Sequence, residues 1–364
     1  MRPAMREQRE RNRTMTARHA WRSTWIAMAA APAVLLAGCS GGDSDEPAAS
    51  DSGAPAETGT EAIEITLAHS YTEEQPQHRC GAQVIADEVA AADVGLTIEI
   101  FPASQLGGDA DRIASVVSGD IDMDIQGASA LGAVYEPISV LDAAFGFDDS
   151  DHLATFMASE DSSVLVEGFA EAAGVTTLGA WSAGARHFTT VDAPIRTPED
   201  LEGVRMRFPG SPQYLLNAEA LGATATEVAY EELYLALQNG TVDGQENPIT
   251  NIVAQNFAEV QDYLSLSAHQ LNTNLVIIGP IWDELSAEQQ EALSAATVTA
   301  VTEVTTCVAD DEEVVLDEWR AGDEWEVVDD VDREAFSEKA EAFFMETFTG
   351  DSLSVYEAMR ATAG

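Results

Sequence analysis

One short pattern occurs twice and limits the fold more than any other feature of the chain. Ser115-Val116-Val117-Ser118-Gly119-Asp120-Ile121-Asp122 parallels Leu235-Ala236-Leu237-Gln238-Asn239-Gly240-Thr241-Val242-Asp243. Each reads as a helix end, a glycine able to take the left-handed conformation just past it, then a β-branched residue and an aspartate. Phe101-Pro102 and Phe208-Pro209 likewise each close a predicted strand. Two copies of one strand–helix–glycine–strand plan predict two lobes of related topology. Around the first copy, Ile63–Ala68, Thr97–Phe101 and Ile121–Ile125 read as extended. Gln77–Ala92 reads as helical, as does a segment capped by Asp109 that runs to Ser118. Strands alternating with helices imply an α/β fold with a largely parallel sheet.

The second half continues the alternation. Val175–Trp181, Arg186–Thr190, Val204–Phe208 and Leu275–Ile278 read as strands, and Gln213–Leu221 as a helix stopped by Gly222. Thr197-Pro198-Glu199-Asp200-Leu201 is a one-turn helix start with proline in first position. From Ser286 to about Trp319 the chain is helical in character. A helix on the order of 45–50 Å long must run across both lobes. Within Val204–Phe208 the alternation of a strand sends Val204, Met206 and Phe208 to one face and Arg205 and Arg207 to the other. A strand-borne arginine facing a cleft is a planar fork suited to gripping a carboxylate through two parallel hydrogen bonds. An anionic ligand is therefore expected. His69, Tyr71 and Gln105 fall at predicted strand ends, where open α/β folds place their clefts.

The N-terminus reads as an export signal. Seven arginines precede the apolar stretch Trp25–Ala37, which is too short to span a bilayer stably, and Met15 offers an alternative start. Leu36-Ala37-Gly38-Cys39 resembles the lipobox of bacterial lipoproteins, in which the cysteine is acylated and becomes the first mature residue. Residues 39–62, rich in Gly, Ser, Asp, Glu, Pro, Ala and Thr, cannot bury enough apolar surface to order themselves and form a tether. No later segment is expected to cross a membrane. Residues 1–38 hold 7 of the 17 basic and 2 of the 64 acidic residues, which leaves 10 against 62, a formal charge of −52. So acidic a body repels nucleic acid and anionic head groups and makes both unsuitable partners. With Cys39 acylated, Cys80 and Cys307 remain as an even pair in an oxidising compartment, either bridged or as two buried thiols.

Several motifs then resemble one family in order and at fitting distances. They are Ser104-Gln105-Leu106-Gly107-Gly108, Gly184-Ala185-Arg186, Gly203–Pro209, Tyr230–Gln238 and Val242–Pro248. The family is that of the DctP-like substrate-binding subunits of tripartite ATP-independent (TRAP) transporters, and the resemblance covers roughly residues 63 to 350. It implies a two-lobed, periplasmic-binding-protein-like fold with a hinge, crossing strands and a long C-terminal helix spanning both lobes. The division it implies is 63–183 plus about 273–312 for one lobe and 184–272 plus about 313–364 for the other. It also implies a protein, expected to be a monomer, that hands a small organic acid to integral-membrane permease subunits driven by an ion gradient, and the lipobox-like segment places it as lipid-anchored at the outer face of the cytoplasmic membrane. Carried over, Arg207 is the carboxylate clamp, Arg186 a second contact to the anion, Asn247 an orienting hydrogen-bond partner and Tyr230 the aromatic packed on the ligand. Arg205 takes the place of a structural salt bridge. The uncharged Gln126-Gly127-Ala128-Ser129-Ala130 departs from the sugar-acid binders of the family and suits a smaller acid met by neutral donors such as Gln126 and Ser129.

No cofactor or metal is expected. Asp120, Asp122 and Asp124 lack the glycine and distant glutamate of a calcium loop, and the histidines show no metal-ligand spacing. Gly127-Ala128-Ser129-Ala130-Leu131 misses the nucleophile-elbow pattern at its last position. The rival readings are a binding lipoprotein of an ABC importer and a secreted enzyme. The second has no nucleophile, metal or acid–base constellation behind it.

Overall fold

The computed structural model describes residues 62–363; Cys39, the signal segment and the tether up to residue 61 lie outside them. Among the described residues nine strands form one sheet: β1 Ile63–His69, β2 Leu96–Phe101, β3 Met123–Gly127, β4 Thr176–Thr190, β5 Arg205–Phe208, β6 Thr224–Glu227, β7 Gly244–Pro248, β8 Tyr263–Ile278 and β9 Glu326–Val328. Their order is β2-β1-β3-β8-β4-β7-β5-β6, with β9 beside β8. In one half β1 lies parallel between β2 and β3, and β3 meets β8 antiparallel. In the other β5 lies parallel between β6 and β7, and β7 meets β4 antiparallel. The halves are topological copies, as the repeated glycine pattern predicts.

The glycines mark equivalent points. Gly119 and Gly240 have φ of +82° and +72°, a conformation that costs other residues a Cβ clash. Beyond them the Asp120 N–H donates to the Ser115 carbonyl (2.8 Å) and the Thr241 N–H to the Ala236 carbonyl (2.9 Å), the same helix-closing bond twice. The Phe-Pro pairs do not correspond. Phe101 ends the edge strand β2, whereas Phe208 ends β5, whose counterpart is β1.

The strands Val175–Trp181 and Arg186–Thr190 prove to be one, β4, and Leu275–Ile278 is only the end of the 16-residue β8. A bulge between Ser182 and Ala185, with Gly184 at φ +102°, shifts the register and hides the continuity of β4. In β8 the polar residues from Ser265 to Asn274 are buried, so its apolar pattern is interrupted. The two long strands lie antiparallel and tie the halves together.

Helices cover the sheet. A π-helical turn, Gln77–Ala82, leads into α1, Gln83–Ala92. Helix α2 runs Asp109–Ser118 with Gly108, not Asp109, as its N-cap; Asp109 lies in the first turn, where its charge suits the helix dipole. Helix α3 is Pro212–Leu221, ended by Gly222 at φ +89°. Helix α4, Ala287–Ala321, is closed at its start by a reciprocal Ser286–Gln289 capping box. Its Leu293, Ala296, Ala300 and Val304 pack with Trp181 and β1, while Val315, Leu316 and Trp319 pack beside Trp325 in the second half. Helix α4 therefore spans both lobes. An 18-residue stretch of it, with mean hydropathy 1.4, is long and apolar enough to cross a membrane, contrary to the expectation for segments beyond the signal. About a third of that stretch is buried, the stripe of Leu293, Ala296, Ala300 and Val304 laid on the sheet, whereas Val298 stays exposed.

Residues 128–173 form a run of short helices. Leu131, Ile138, Leu153, Phe156 and Phe169 share a core with Phe208 and Tyr214, and with Phe336, Phe344 and Tyr356 of the last two helices, α5 Arg333–Thr347 and α6 Gly350–Ala361. A run of short helices has no sheet face of its own to cover, so it buries its apolar side in this shared core, which also takes in Ala68, Ile113, Val116 and Ile121 of the first half.

Cys80, in the π-helical turn, is disulfide-bonded to Cys307 of α4 across a Cα–Cα distance of 6.6 Å. Just beyond, Glu312 lies against the β4 bulge, where a Cβ on Gly184 would overlap its Oε1 and press on Pro248. That Oε1 is buried without a hydrogen-bond partner. Burial, and then the neighbouring Asp311, push the Glu312 carboxyl from 4.5 up to about 8. With its folded pKa raised, its contribution to stability is fully present below about pH 4.5 and is lost as pH rises to about 8. Glu312→Gln should therefore leave the melting temperature nearly unchanged at pH 5 and raise it at pH 9, where it adds about 2 kcal/mol of stability after allowance for partial solvent access. Parallel melting curves for the two proteins from pH 5 to 9 would refute this.

Candidate functional site

The parallel strands β1, β3, β5 and β7 all end at one cleft between the halves, the position an open α/β sheet offers a ligand. The cavity there measures about 720 Å³, within the range of small-molecule sites. Its lining takes in Arg207, Arg186, Asn247, Tyr230, Gln126 and Tyr71. Six of the eight residues expected to meet ligand are thus brought together. His69 and Gln105 are not. His69 is fully buried behind the lining, its Nε2 3.1 Å from His78 Nδ1, and burial followed by His78 lowers its pKa to about 3. Gln105 is exposed outside the lining, on the turn after β2. Ser129, a further expected donor, is buried outside it, its backbone N–H held by Asp142.

The two lining arginines differ in kind. Arg207 sits on β5 between β6 and β7 and is 2% exposed. Its Nε donates to the Val228 carbonyl at 2.8 Å, which fixes the guanidinium plane and leaves both terminal nitrogens at the cavity. Among the described residues no carboxylate lies within 4.0 Å of it, and burial lowers its pKa to about 10, so it stays charged at neutral pH. Arg186, on β4, has its charge cancelled. The fully buried Glu246 of β7 accepts from its Nε and, at 2.7 Å, from one terminal nitrogen, and the Asn272 Oδ1 accepts from the other at 2.5 Å. Burial alone would lower the Arg186 pKa, but Glu246 raises it above the usual arginine value. The expected second anion contact is therefore already occupied by a carboxylate of the protein, apart from what its remaining N–H can reach. Arg205, on the same strand face as Arg207, lies outside the cleft and pairs with Asp243 through its Nη2 at 2.5 Å.

The neutral groups form a polar ring around Arg207. Asn247 Oδ1 accepts from Arg186 (3.2 Å) and its amide donates to Gln245 (2.5 Å). Tyr71 donates to Asn274 at 2.7 Å and Tyr214 to Asn272 at 3.1 Å, while the Arg186 guanidinium lies 4.8 Å from the Tyr214 ring centre. The Ser211 Oγ is buried in the lining without a hydrogen-bond partner, and the buried Tyr230 hydroxyl has only the Gln255 side chain beside it, outside good hydrogen-bond geometry. Burial pushes the Tyr230 hydroxyl up to about 12, so it remains a proton donor. An unpaired Ser211 hydroxyl and a weakly held Tyr230 hydroxyl beside a guanidinium with no paired carboxylate call for acceptors, and a carboxylate supplies them. Two bonds cross the cleft: Ser104 Oγ donates to Glu231 (2.7 Å) and Gln75 Nε2 to Asn251 (2.9 Å).

Sequence reasoning missed Tyr214, Ser211, Asn251, Asn272 and Asn274. The usable signal was Asn272-Thr273-Asn274, two asparagines on one face of a strand otherwise buried. Among the described residues no group of three or more His, Cys, Asp or Glu could hold a metal. Asp122 instead accepts from the Thr66 N–H and hydroxyl, and Asp124 pairs with Arg112.

Residues 67–351 match the model of a family described as bacterial extracellular solute-binding protein, family 7 (DctP). The 2,3-diketo-L-gulonate-binding periplasmic protein of Escherichia coli is 32% identical over 247 residues, 67% of this chain and 74% of that protein. An uncharacterized protein of Sinorhizobium fredii is also 32% identical over 294 residues, 80% of this chain, and there the match spans about half (53%) of the relative's length. Among solved structures, a TRAP periplasmic solute-binding protein from Polaromonas sp. JS666, bound to D-erythronate, superposes with a TM-score of 0.75 at 29% identity, covering 82% of this chain and 98% of that one.

Proposed function

Since the chain belongs to the bacterial extracellular solute-binding proteins of family 7, a family of carriers rather than enzymes, we propose that it captures a small organic acid and passes it to the integral-membrane subunits of a TRAP transporter. One observation carries the reading: the Arg207 fork, buried at the cavity without a carboxylate of the protein to neutralise it. A ligand carboxylate completes it in a bidentate, charge-assisted pair, which is strong where water is excluded. Tyr230 and Ser211 donate to the remaining oxygens or hydroxyls, and Asn247 orients the ligand through the network that holds Arg186. Hinge closure at the β4 bulge brings the halves together, and the Ser104–Glu231 and Gln75–Asn251 bonds latch them. Leu36-Ala37-Gly38-Cys39 supports a lipid anchor on the outer face of the cytoplasmic membrane, to be read from the mass of the mature N-terminus.

Calorimetry with a panel of small organic acids and their methyl esters tests the ligand class. An acid that binds should lose at least 100-fold in affinity as its ester, about 3 kcal/mol. Equal affinity for the neutral ester would overturn the carboxylate reading.

A further inference from the structure

Resting on that carboxylate reading, we propose that the cleft selects acids bearing a single negative charge, with hydrogen-bond donors at the far end, against dianions of the same size. The argument is an inventory of charge. Arg186 is cancelled by Glu246. Arg112, the buried guanidinium behind the first half, is held by Asp124 (3.2 Å) and Asp109 (2.9 Å). That leaves Arg207 as the one arginine in the cavity lining, among the described residues, that has no carboxylate partner.

The rest of the lining carries the opposite sign. Asp109, Asp111, Glu227, Glu231 and Glu232 all belong to it, and all five are exposed at its mouth. They come from both sides of the cleft, from α2 in the first half and from the end of β6 and the turn after it in the second. A ligand whose carboxylate sits on the buried Arg207 therefore extends its far end toward carboxylates. A second anionic group there meets repulsion and has no cation to pair with, whereas a hydroxyl or an ammonium donates to them. Glu231 is already positioned as an acceptor by its bond from Ser104. Because the acids are exposed, their part in the discrimination is screened by salt, over about 10 Å at 0.1 M and about 3 Å at 1 M. A shape filter would not respond in this way.

Two carbon-matched series test this by calorimetry on the full chain: 4-hydroxybutanoate, 4-aminobutanoate and succinate, and D-gluconate with D-glucarate. At 0.1 M NaCl a singly charged or zwitterionic member should bind at least tenfold tighter than its dianionic counterpart, and the ratio should narrow at 2 M NaCl. The hydroxyl and ammonium arms distinguish the two kinds of donor. The double variant Asp111→Asn, Glu232→Gln should narrow the same ratio at low salt. A dianion that binds as tightly as its partner, or a ratio indifferent to both salt and the double variant, overturns the proposal while leaving the carboxylate reading standing. Binding of the methyl esters as tightly as the acids, or no binding across the panel, brings down the carboxylate reading as well.

Discussion

Arg207→Ala is expected to remove acid binding almost completely and to leave the fold intact. In the wild type a ligand carboxylate enters a site where it is desolvated, and two terminal nitrogens of one fixed guanidinium meet it. Without them the carboxylate is buried unpaired, a loss of about 3–5 kcal/mol, or roughly 10²–10³-fold or more in affinity. The unliganded protein should not be weakened to match. Arg207 gives up only its bond to the Val228 carbonyl and leaves no protein carboxylate stranded, since among the described residues none pairs with it. Its burial, only partly offset by the field of Glu246, is itself unfavourable, as its lowered pKa reflects. Arg207→Lys should recover only part of the affinity, because an ammonium keeps the charge but not the planar fork. Calorimetry beside thermal melts decides the matter: affinity retained within tenfold in Arg207→Ala would show that the anion is held elsewhere.

How much of this was legible beforehand differs between fold and site. The lobes could be read because local signals were repeated: Gly119 and Gly240 close helices in the same way before equivalent strands. The α4 helix could be read from its length and cap. Strand alternation could not separate Arg205 from Arg207, since it sends both to one face. What separates them is depth. Arg205 stands half exposed beside Asp243, whereas Arg207 ends under the turn that follows β6. The cancellation of Arg186 was hidden for a related reason. Glu246 is 60 positions away in sequence and becomes its partner only because β4 and β7 pair in register. His69 illustrates the opposite error: being at a strand end placed it near the cleft, but its ring points to His78 and the core. Charge distribution around a cleft is a tertiary property, so ligand class was readable only to the level of an anion.

Glu246→Gln should be the most damaging single change to stability in the site, and its consequences extend to selectivity. Arg186 and Glu246 are both buried, and although burial works against the carboxylate, Arg186 and His269 hold it below the usual range. Its contribution is thus present above about pH 4.5 and lost only as pH falls through the depressed value, so at pH 7 the pair is fully ionised. Removing one charge leaves the Arg186 guanidinium buried against neutral oxygens, at a cost of about 3–5 kcal/mol, or a melting point lower by roughly 6–15 °C. If unpaired charge is the cause, Arg186→Met in the same protein should restore much of the loss, because a buried pair replaced on both sides is often near neutral. A double variant no more stable than Glu246→Gln would assign the damage to packing instead. The single variant, assayed where it remains folded, should also behave differently toward ligands. Arg186 would then face the cavity with its charge exposed to it, giving the cleft two uncompensated cations instead of one, and dianionic acids should gain affinity relative to singly charged ones. Glu246 would in that case act both as a counter-ion that stabilises the crossing strands and as the residue that limits the cleft to one anionic group, and a preference unaltered by Glu246→Gln would confine it to the first role.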